Sequence, residues 1–294
     1  MADILCADTW ENYALIDAGD GEKLERWNDV LLCRPDPVAI WPKDEKELRW
    51  QQCDAVYHRS VKGGGYWEMK RPLASSWPLA YRNLTFKIAP TGFKHTGLFP
   101  EQAVNWEWMS GLIHTHRHEE LRILNLFAYT GAATMAASIA GAKEVVHVDA
   151  SKGMVQWAKE NMRLSHLEKN TIRFITDDCL KFVEREKRRG HTYHGILMDP
   201  PSYGRGPDGE LWKFEKEIGR LLQACIRLLD THALFLLINS YTAGISASVL
   251  ENLLRCSPIE QIPNARITAG EIGIPMTSRN MILPCGIYGR WERL

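Results

Sequence analysis

Residues 195–203 read Gly195-Ile196-Leu197-Met198-Asp199-Pro200-Pro201-Ser202-Tyr203. The four apolar residues predict a buried strand, so Asp199 and both prolines follow at its carboxyl end, where open α/β sheets bind their ligands. Because each proline lacks an N–H and fixes φ, the pair continues neither a strand ladder nor an ordinary helical turn. We interpret Pro200 and Pro201 as a rigid corner whose carbonyls accept hydrogen bonds beside the Asp199 carboxylate and the Tyr203 ring. The alternative is a proline-capped strand that leads into an ordinary loop.

Apolar runs and amphipathic stretches alternate regularly on either side of this corner. The runs predict strands, and the stretches between them predict helices. The predicted strands are 121–127, 144–149, 171–176, 193–198 and 231–239, and the predicted helices are 131–141, 151–166, 178–188, 213–229 and 245–256. Alternating βα units indicate a Rossmann-like α/β fold, in which helices cover both faces of a mostly parallel sheet. The segment 281–289 predicts a last strand that pairs antiparallel at the edge of this sheet.

The first ~100 residues show a different pattern, of short strands separated by turns. We expect strands at 13–16, 30–33, 56–58 and 84–88, and one helix from Asp44 to Cys53. Pro100 is well placed to begin an amphipathic helix that leads into the second half of the chain. The sequence therefore predicts a smaller β-rich domain of residues 1–100 and an α/β domain of residues 101–294.

Tryptophan is concentrated in the N-terminal part, where eight of the eleven lie within the first 108 residues. Buried aromatic side chains that fill a small β domain are the favoured interpretation. A base-stacking surface is the alternative. Residues 1–117 carry 14 basic and 16 acidic side chains, so this part has no positive excess. It is more typical of a lid that shapes a substrate site than of a clamp for phosphates.

The composition excludes several classes of protein. Among 294 residues, Lys+Arg and Asp+Glu both number 36, so any affinity for nucleic acid has to come from a local patch. The seven cysteines are dispersed without metal-binding spacing, so we expect no metal and a reducing cytoplasmic location. We expect no signal peptide and no membrane partner, because no apolar run reaches the roughly 18 residues of a membrane span. The oligomeric state stays open.

The first predicted βα turn follows the strand at 121–127. It reads Phe127-Ala128-Tyr129-Thr130-Gly131-Ala132-Ala133, and its small residues let the backbone pass close to a ligand at a helix N-terminus. Only Gly131 is a glycine, whereas a dinucleotide-binding loop uses three to admit a pyrophosphate. The turn therefore favours a cofactor without phosphates and disfavours a nicotinamide-dependent dehydrogenase.

Acidic residues follow the next three predicted strands. Asp149 lies 18 residues after Gly131, at the position from which a carboxylate binds ribose hydroxyls. Asp178 ends the third strand, where it suits the amino group of an adenine, and Asp199 ends the fourth. Each acid alone is equally compatible with an N-cap of the following helix. Suitable residues at all four strand ends favour a single binding rim over separate caps.

This ordered set resembles a class I S-adenosylmethionine-dependent methyltransferase. It is more narrowly similar to the large-subunit ribosomal RNA methyltransferases that methylate cytosine at C5 or guanine at N7. The stretch Lys94-His95-Thr96-Gly97-Leu98-Phe99-Pro100-Glu101-Gln102 resembles the segment that precedes the catalytic sheet in that family. The resemblance covers residues 85–294 well and the N-terminal part poorly. It implies S-adenosyl-L-methionine as the cofactor and ribosomal RNA as the substrate.

The resemblance also implies roles for individual residues. Gly131 and its neighbours would face the methionine part of the cofactor, Asp149 the ribose and Asp178 the adenine. Asp199 would lie beside the transferred methyl group, with Pro200 and Tyr203 as further catalytic residues. The other expected cofactor-binding residues are Phe127, Ala128, Tyr129, Thr130, Ala150, Cys179, Lys94, Thr96 and Gln102, and the expected substrate-binding residues are Pro201, Ser202 and Arg205.

One departure from the family concerns the modified atom. Cytosine-C5 enzymes need a cysteine nucleophile to activate the carbon, and in the related carbon methylators it lies just after the fifth strand. Residues 238–242 of this chain contain no cysteine, and Cys179, Cys225 and Cys285 are not obvious replacements. We therefore expect methylation of a base nitrogen. Two alternatives stay open: methyl transfer to a small molecule or a protein side chain, and a non-catalytic scaffold with the same fold.

The segment after Tyr203 has two interpretations of equal weight. Residues 204–209 contain three glycines and one arginine. They form either a mobile substrate loop, with Arg205 reaching a phosphate, or a turn-rich connection. Lys213 and Lys216 on the following predicted helix are interpreted as part of a solvated face.

Overall fold

The computed structural model describes residues 4–60, 64–92, 94–117, 120–206, 209 and 211–294. The chain divides into two compact units. The unit that we call the β unit comprises Ile4–Val104 and Ile272–Cys285, and the unit that we call the α/β unit comprises Asn105–Glu271 and Gly286–Leu294. The division at residue 104 is close to the predicted domain boundary at 100, which stays a prediction.

Residues 272–285 belong to the β unit although the sequence groups them with the α/β domain. Their backbone pairs with a strand near the beginning of the chain: Thr277 N donates to Leu15 O (3.0 Å) and Ser278 N donates to Ile16 O (3.0 Å). Arg279 adds an ion pair to Asp17 at 2.7 Å. Sequence periodicity alone does not reveal such a long-range pairing.

The β unit is built from short strands, as expected. They are β1 (Ile4–Cys6), β2 (Tyr13–Gly19), β3 (Glu22–Trp27), β4 (Val30–Pro35), β5 (Ala55–Arg59), β6 (Gly65–Met69), β7 (Trp77–Tyr81) and β8 (Leu84–Ile88). A five-stranded sheet has the order β2-β3-β4-β5-β6, and β7 and β8 form a separate hairpin. The strands predicted at 13–16, 30–33, 56–58 and 84–88 correspond to β2, β4, β5 and β8.

The helix predicted from Asp44 to Cys53 is wrong. Only Leu48–Gln52 is helical, as a short 3-10 helix with Glu47 rather than Asp44 at its N-cap. The Asp44 carboxylate instead accepts the N–H of Lys46 (3.0 Å). An aspartate that bonds the backbone two residues on forms a turn and competes with the first turn of a helix.

The N-terminal tryptophans behave as core residues. Trp27 is fully buried, and none of the eight is exposed. Several use the indole N–H to bind the unit's own polar groups: Trp41 donates to Ala18 O (2.6 Å), Trp50 to Asp17 Oδ2 (2.9 Å) and Trp67 to Thr91 O (2.8 Å). This arrangement favours the core interpretation over a base-stacking surface.

The α/β unit follows the predicted alternation closely. The elements that follow β8 are α1 (Ala103–Thr115), β9 (Arg122–Leu126), α2 (Ala132–Ile139), β10 (Glu144–Asp149), α3 (Lys152–Leu164), β11 (Ile172–Thr176), α4 (Cys179–Arg188), β12 (Gly195–Met198), β13 (Tyr203–Arg205), β14 (Leu211–Lys213), α5 (Phe214–Ile226), β15 (Phe235–Ser240), α6 (Ala247–Arg255), β16 (Ala265–Pro275) and β17 (Ile282–Arg293). The last two strands include residues of the β unit, at the end of β16 and at the beginning of β17. Short 3-10 turns occupy Pro100–Gln102 and Pro258–Gln261. No helix in the described part of the chain is long and apolar enough to cross a bilayer.

The large sheet has the strand order β11-β10-β9-β12-β15-β17-β16-β1. Strands β9, β10, β11, β12 and β15 are parallel, and β17 is antiparallel to β15. This confirms the Rossmann-like α/β fold with a mostly parallel sheet and an antiparallel last strand. The expected edge position of the last strand is wrong, because β16 pairs with the other side of β17.

Candidate active site

The carboxyl ends of the parallel strands meet at one edge of the sheet. Leu126 at the end of β9 is in register with Val148 of β10 and with Met198 of β12. Met198 is in register with Ile238 of β15. The first βα turn, Asp149, Asp199 and the residues after Ile238 therefore leave the sheet side by side, as the sequence predicted for a binding rim.

The turn after β9 has an unusual backbone. Phe127 and Tyr129 have φ angles of +54° and +49°, a left-handed conformation that is uncommon for aromatic residues. Gly131, with φ +84°, precedes α2 as its N-cap. A Cβ added to Gly131 would lie 3.0 Å from Cβ of Ala158, so both the conformation and the limited space favour glycine at this position. Backbone strain of this kind is concentrated at ligand sites.

Buried and half-buried side chains hold this turn in place. The Asp149 carboxylate accepts the N–H of Tyr129 (2.8 Å) through one oxygen and that of Ser151 (2.8 Å) through the other. The Asn161 side chain donates to the Thr130 carbonyl (2.8 Å). The Phe127 N–H donates to the Cys179 sulfur (3.3 Å).

Asp149 and Asp178 differ in their local roles. Asp178 is the N-cap of α4 and accepts the N–H of Lys181 (2.8 Å) through Oδ1, and its contact with an adenine stays a prediction. Asp149 is not a cap, because Ser151 caps α3 and accepts the N–H of Met154 (3.4 Å). Burial raises the pKa of Asp149 above its usual value. The two backbone hydrogen bonds offset only part of this increase.

The Asp-Pro-Pro corner is fixed from two sides. Asp199 is half-buried, with its Oδ1 inaccessible to solvent, and Pro200 is buried. The Trp212 indole donates to the Pro201 carbonyl (2.6 Å). The Thr242 hydroxyl donates to the Ser202 hydroxyl (3.0 Å), which ties the corner to the segment after β15.

Trp212 is a site residue that sequence reasoning missed. Besides bonding to Pro201, its ring packs against Phe127 with centroids 4.9 Å apart. It therefore connects the Asp-Pro-Pro corner to the first βα turn. Its position follows from the hairpin of β13 and β14, which pairs Gly204 with Trp212. Strands of three residues are too short to be predicted from periodicity. The sequence signal that could have indicated this contact was Trp212 itself.

Of the segment 204–209, Gly204 and Arg205 belong to β13 of this hairpin. Arg205 ends β13 and is exposed, and the Tyr203 ring is 54% exposed. Pro207 and Asp208 lie outside the described residues. The structure thus separates Tyr203, which points to solvent beside the corner, from the buried Trp212.

Three cysteines, Cys179, Cys225 and Cys285, show no feature of an activated nucleophile. Burial raises the pKa of Cys179, Cys225 and Cys285, which keeps these thiols protonated. The thiolate is the reactive form of cysteine. Within the stretch 238–242, Asn239 is buried and accepts a hydrogen bond from the Asn105 side chain (3.0 Å).

Three predicted cofactor residues, Lys94, Thr96 and Gln102, belong to the β unit. Thr96 and Gln102 are buried, and burial lowers the pKa of Lys94. The Lys94 carbonyl accepts a hydrogen bond from Arg34 (2.8 Å), a contact within the same unit. Their place beside the cofactor stays a prediction. Among the described residues there is no cluster of three or more His, Cys, Asp or Glu side chains able to hold a metal ion.

A buried polar chain lies beneath the first βα turn. The Asn125 side chain donates to the Thr134 hydroxyl (3.0 Å), which hydrogen-bonds to Nδ1 of His147 (3.0 Å). Burial lowers the pKa of His147 from 6.5 to about 3, so this imidazole is neutral in the folded protein. The chain joins the ends of β9, α2 and β10 without introducing a charge.

Because His147 is buried and neutral, we expect the folded protein to lose stability in acid. Because the folded-state pKa lies below the unfolded-state value, the unfolded chain binds the additional proton as pH falls below 6.5. We expect the free energy of unfolding to decrease by about 1.4 kcal/mol per pH unit from this residue alone below pH 6.5. Urea titrations of the wild type and of His147→Asn between pH 7.5 and 5 measure the difference in slope. Equal slopes would exclude this contribution.

Comparisons with known proteins identify the family to which this chain belongs. Residues 55–262 match the family model described as S-adenosylmethionine-dependent methyltransferase, and the chain belongs to that family. Its structure is similar to that of a SAM-dependent methyltransferase from Agrobacterium tumefaciens, with 37% identity, a TM-score of 0.92, and coverage of 99% of this chain and 93% of the other. The fold is also shared with SMU.776 in complex with SAH, at 15% identity and a TM-score of 0.74, over 97% of this chain and 76% of the other.

The chain also has curated relatives that are much longer than itself. Ribosomal RNA large subunit methyltransferase K/L of Shewanella frigidimarina is 30% identical over 254 residues, which is 82% of this chain and 33% of the relative. The protein of the same name from Pseudoalteromonas atlantica is 34% identical over 207 residues, 69% of this chain and 27% of the relative. The chain therefore spans a third or less of the length of these relatives.

Proposed function

We propose that this S-adenosylmethionine-dependent methyltransferase methylates a nitrogen of a base in RNA, with ribosomal RNA in the cytoplasm as the substrate. The observation that carries the proposal is the fixed Asp199-Pro200-Pro201 corner, which follows β12 next to the strained turn after β9. The names of the ribosomal RNA methyltransferase relatives support RNA as the substrate class. The lack of a cysteine in residues 238–242 supports nitrogen over carbon as the acceptor atom.

The residues of the rim fit the cofactor. Each Asp149 oxygen accepts one backbone N–H and retains a further lone pair for a ribose hydroxyl. The turn 127–131 offers backbone groups and small side chains without the three glycines of a pyrophosphate loop. We assign Phe127, Ala128, Tyr129, Thr130 and Gly131 to the methionine part, Asp149 and Ala150 to the ribose, and Asp178 and Cys179 to the adenine.

The residues of the corner position the acceptor base. The bound cofactor supplies a methyl group activated by its sulfonium. The Asp199 carboxylate and the Pro200 carbonyl accept N–H groups of the base, which directs the lone pair of the acceptor nitrogen toward that methyl group. Tyr203 stacks on the base. Orientation of this kind contributes up to roughly 7–11 kcal/mol in favourable cases, so a nitrogen acceptor needs no covalent help from a cysteine.

Transfer of labelled methyl groups tests this function. The protein is incubated with tritiated S-adenosylmethionine and a fractionated lysate from cells that lack it. We expect label in the RNA fraction that nuclease treatment releases. Label only in small molecules or in protein would contradict the RNA assignment and favour the first alternative. Bound cofactor without any transfer would favour a scaffold.

A second prediction concerns Trp212, which fixes the corner but is not expected to contact the cofactor. Its replacement should therefore affect catalysis more than cofactor binding. Trp212→Phe retains an aromatic ring against Phe127 and removes the hydrogen bond to Pro201. We expect kcat to fall about tenfold, because the lost hydrogen bond contributes about 1.4 kcal/mol and that energy corresponds to a tenfold change in rate. The dissociation constant of S-adenosylmethionine, measured by calorimetry, should stay within about threefold of the wild type. Weaker cofactor binding with unchanged kcat would show that the indole acts on the turn instead.

A further inference from the structure

The hairpin of β13 and β14 has two chemically different faces. Tyr203 pairs with Lys213, Gly204 with Trp212, and Arg205 with Leu211. Because successive side chains of a strand point to opposite faces, Tyr203, Arg205, Leu211 and Lys213 share one face. All four are exposed, whereas Trp212 on the opposite face is buried.

The buried face attaches the hairpin to the catalytic corner. The Trp212 indole donates to the Pro201 carbonyl, and the Phe214 N–H donates to the Ser202 carbonyl (3.1 Å). Gly204 packs so closely that an added Cβ would lie 3.3 Å from Cγ of Pro201. The base of the hairpin is therefore fixed, and its outward face has a defined direction relative to Asp199.

The outward face combines an aromatic ring with two cations. Tyr203 is 54% exposed, and Arg205 and Lys213 are exposed as well. The two cations occupy diagonal positions across the hairpin, which places their Cα atoms roughly 7–8 Å apart. On this face of the hairpin the two cations lie next to an aromatic side chain, although the sequence between and after the two strands also carries acidic residues, among them Asp208, Glu210 and Glu215.

We propose that this face binds the RNA strand on either side of the target nucleotide. Arg205 and Lys213 contact phosphates of the strand, while Tyr203 stacks on the base that enters the corner. Cationic side chains beside an aromatic platform are the combination that single-stranded nucleic acids require. The inference rests on the proposed function and adds to it the surface and the substrate class that the hairpin recognises: an unpaired RNA strand. It also changes the interpretation of Lys213 from a solvated side chain to a substrate contact.

Salt-dependent binding of RNA tests the proposal. The probe is a fluorescein-labelled, single-stranded RNA of mixed sequence, and binding is followed by anisotropy at several salt concentrations. The test variant is Arg205→Gln/Lys213→Gln. The matched control is Arg163→Gln/Lys169→Gln, which removes one exposed arginine and one exposed lysine elsewhere in the α/β unit. Binding of S-adenosylmethionine to each variant confirms that the protein is folded.

Loss of two phosphate contacts should reduce the slope of log K against log salt by about 1.4, at about 0.7 per phosphate of a single strand. We expect this reduction and at least about tenfold weaker binding at low salt for the test variant only. If the wild type binds and methylates RNA but both variants retain its slope and affinity, the hairpin proposal fails and the proposed function stands. If the wild type does not bind the RNA at all, both fail together.

Discussion

Replacement of Asp199 by alanine should abolish methyl transfer while S-adenosylmethionine remains bound. The carboxylate leaves the sheet at the end of β12 and is held at a corner that Trp212 and Thr242 fix. Without it, the acceptor nitrogen loses the group that directs its lone pair. We expect kcat to fall by about 1,000-fold or more, a part of what orientation contributes to such reactions. Initial rates with labelled cofactor measure the loss, and calorimetry measures cofactor binding.

Two further variants make this test specific. Asp199→Asn keeps the shape of the side chain and removes its charge. Comparison of this variant with Asp199→Ala therefore distinguishes the effect of the carboxylate's hydrogen bonds from the effect of side-chain packing. Glu215→Ala, which removes an exposed acid in the first turn of α5, serves as the control and should retain activity. An Asp199→Ala protein that turns over near the wild-type rate would exclude the catalytic role.

Replacement of Glu25 by glutamine should strongly destabilise the protein. Glu25 is fully buried and binds Arg34 through both of its oxygens, at 2.6 and 2.7 Å, and also accepts the Tyr13 hydroxyl (2.9 Å). Burial alone would raise the pKa of Glu25, but Arg34 and Lys23 together lower it. Removal of one charge leaves Arg34 buried without its partner, which costs about 3–5 kcal/mol. Urea unfolding at pH 7 measures the loss.

A double variant and a surface variant define the cause of this destabilisation. Glu25→Gln/Arg34→Met removes both charges and should recover part of the stability, because no uncompensated ion then remains in the core. Lys70→Met removes a partner of Glu68 from an exposed pair and should leave the free energy of unfolding close to the wild-type value. A Glu25→Gln protein no less stable than Lys70→Met would contradict this account of the buried pair.

The sequence predicted the α/β unit far better than the β unit, and the reason is physical. Strands such as β12 are buried on both faces and read as apolar runs bounded by clear turns. In β3, by contrast, the sequence Glu22-Lys23-Leu24-Glu25-Arg26 carries charges on both faces. Its strand conformation depends on partners such as Arg34 that lie elsewhere in the sequence. No local pattern reveals that a glutamate is buried against a distant arginine.

The residues of the candidate site were likewise predicted only in part from the sequence. Acidic residues at the ends of β10 and β12 were predicted because parallel strands bring their carboxyl ends together. Whether an acid at a strand end also caps the following helix depends on the next few residues. Ser151 is available to cap α3 and leaves Asp149 for the turn, whereas Asp178 has no such substitute and caps α4 itself. Trp212 was missed because its role arises from a hairpin whose strands are three residues long.

The identity of the modified nucleoside tests the central claim most directly. Ribosomal RNA is purified from cells that contain the protein and from cells that lack it, digested to nucleosides and compared by mass spectrometry. Our account predicts one nucleoside that is missing without the protein, with its methyl group on a nitrogen of the base. Loss of a C5-methylated cytosine instead would contradict it, because the structure provides no activated cysteine among Cys179, Cys225 and Cys285.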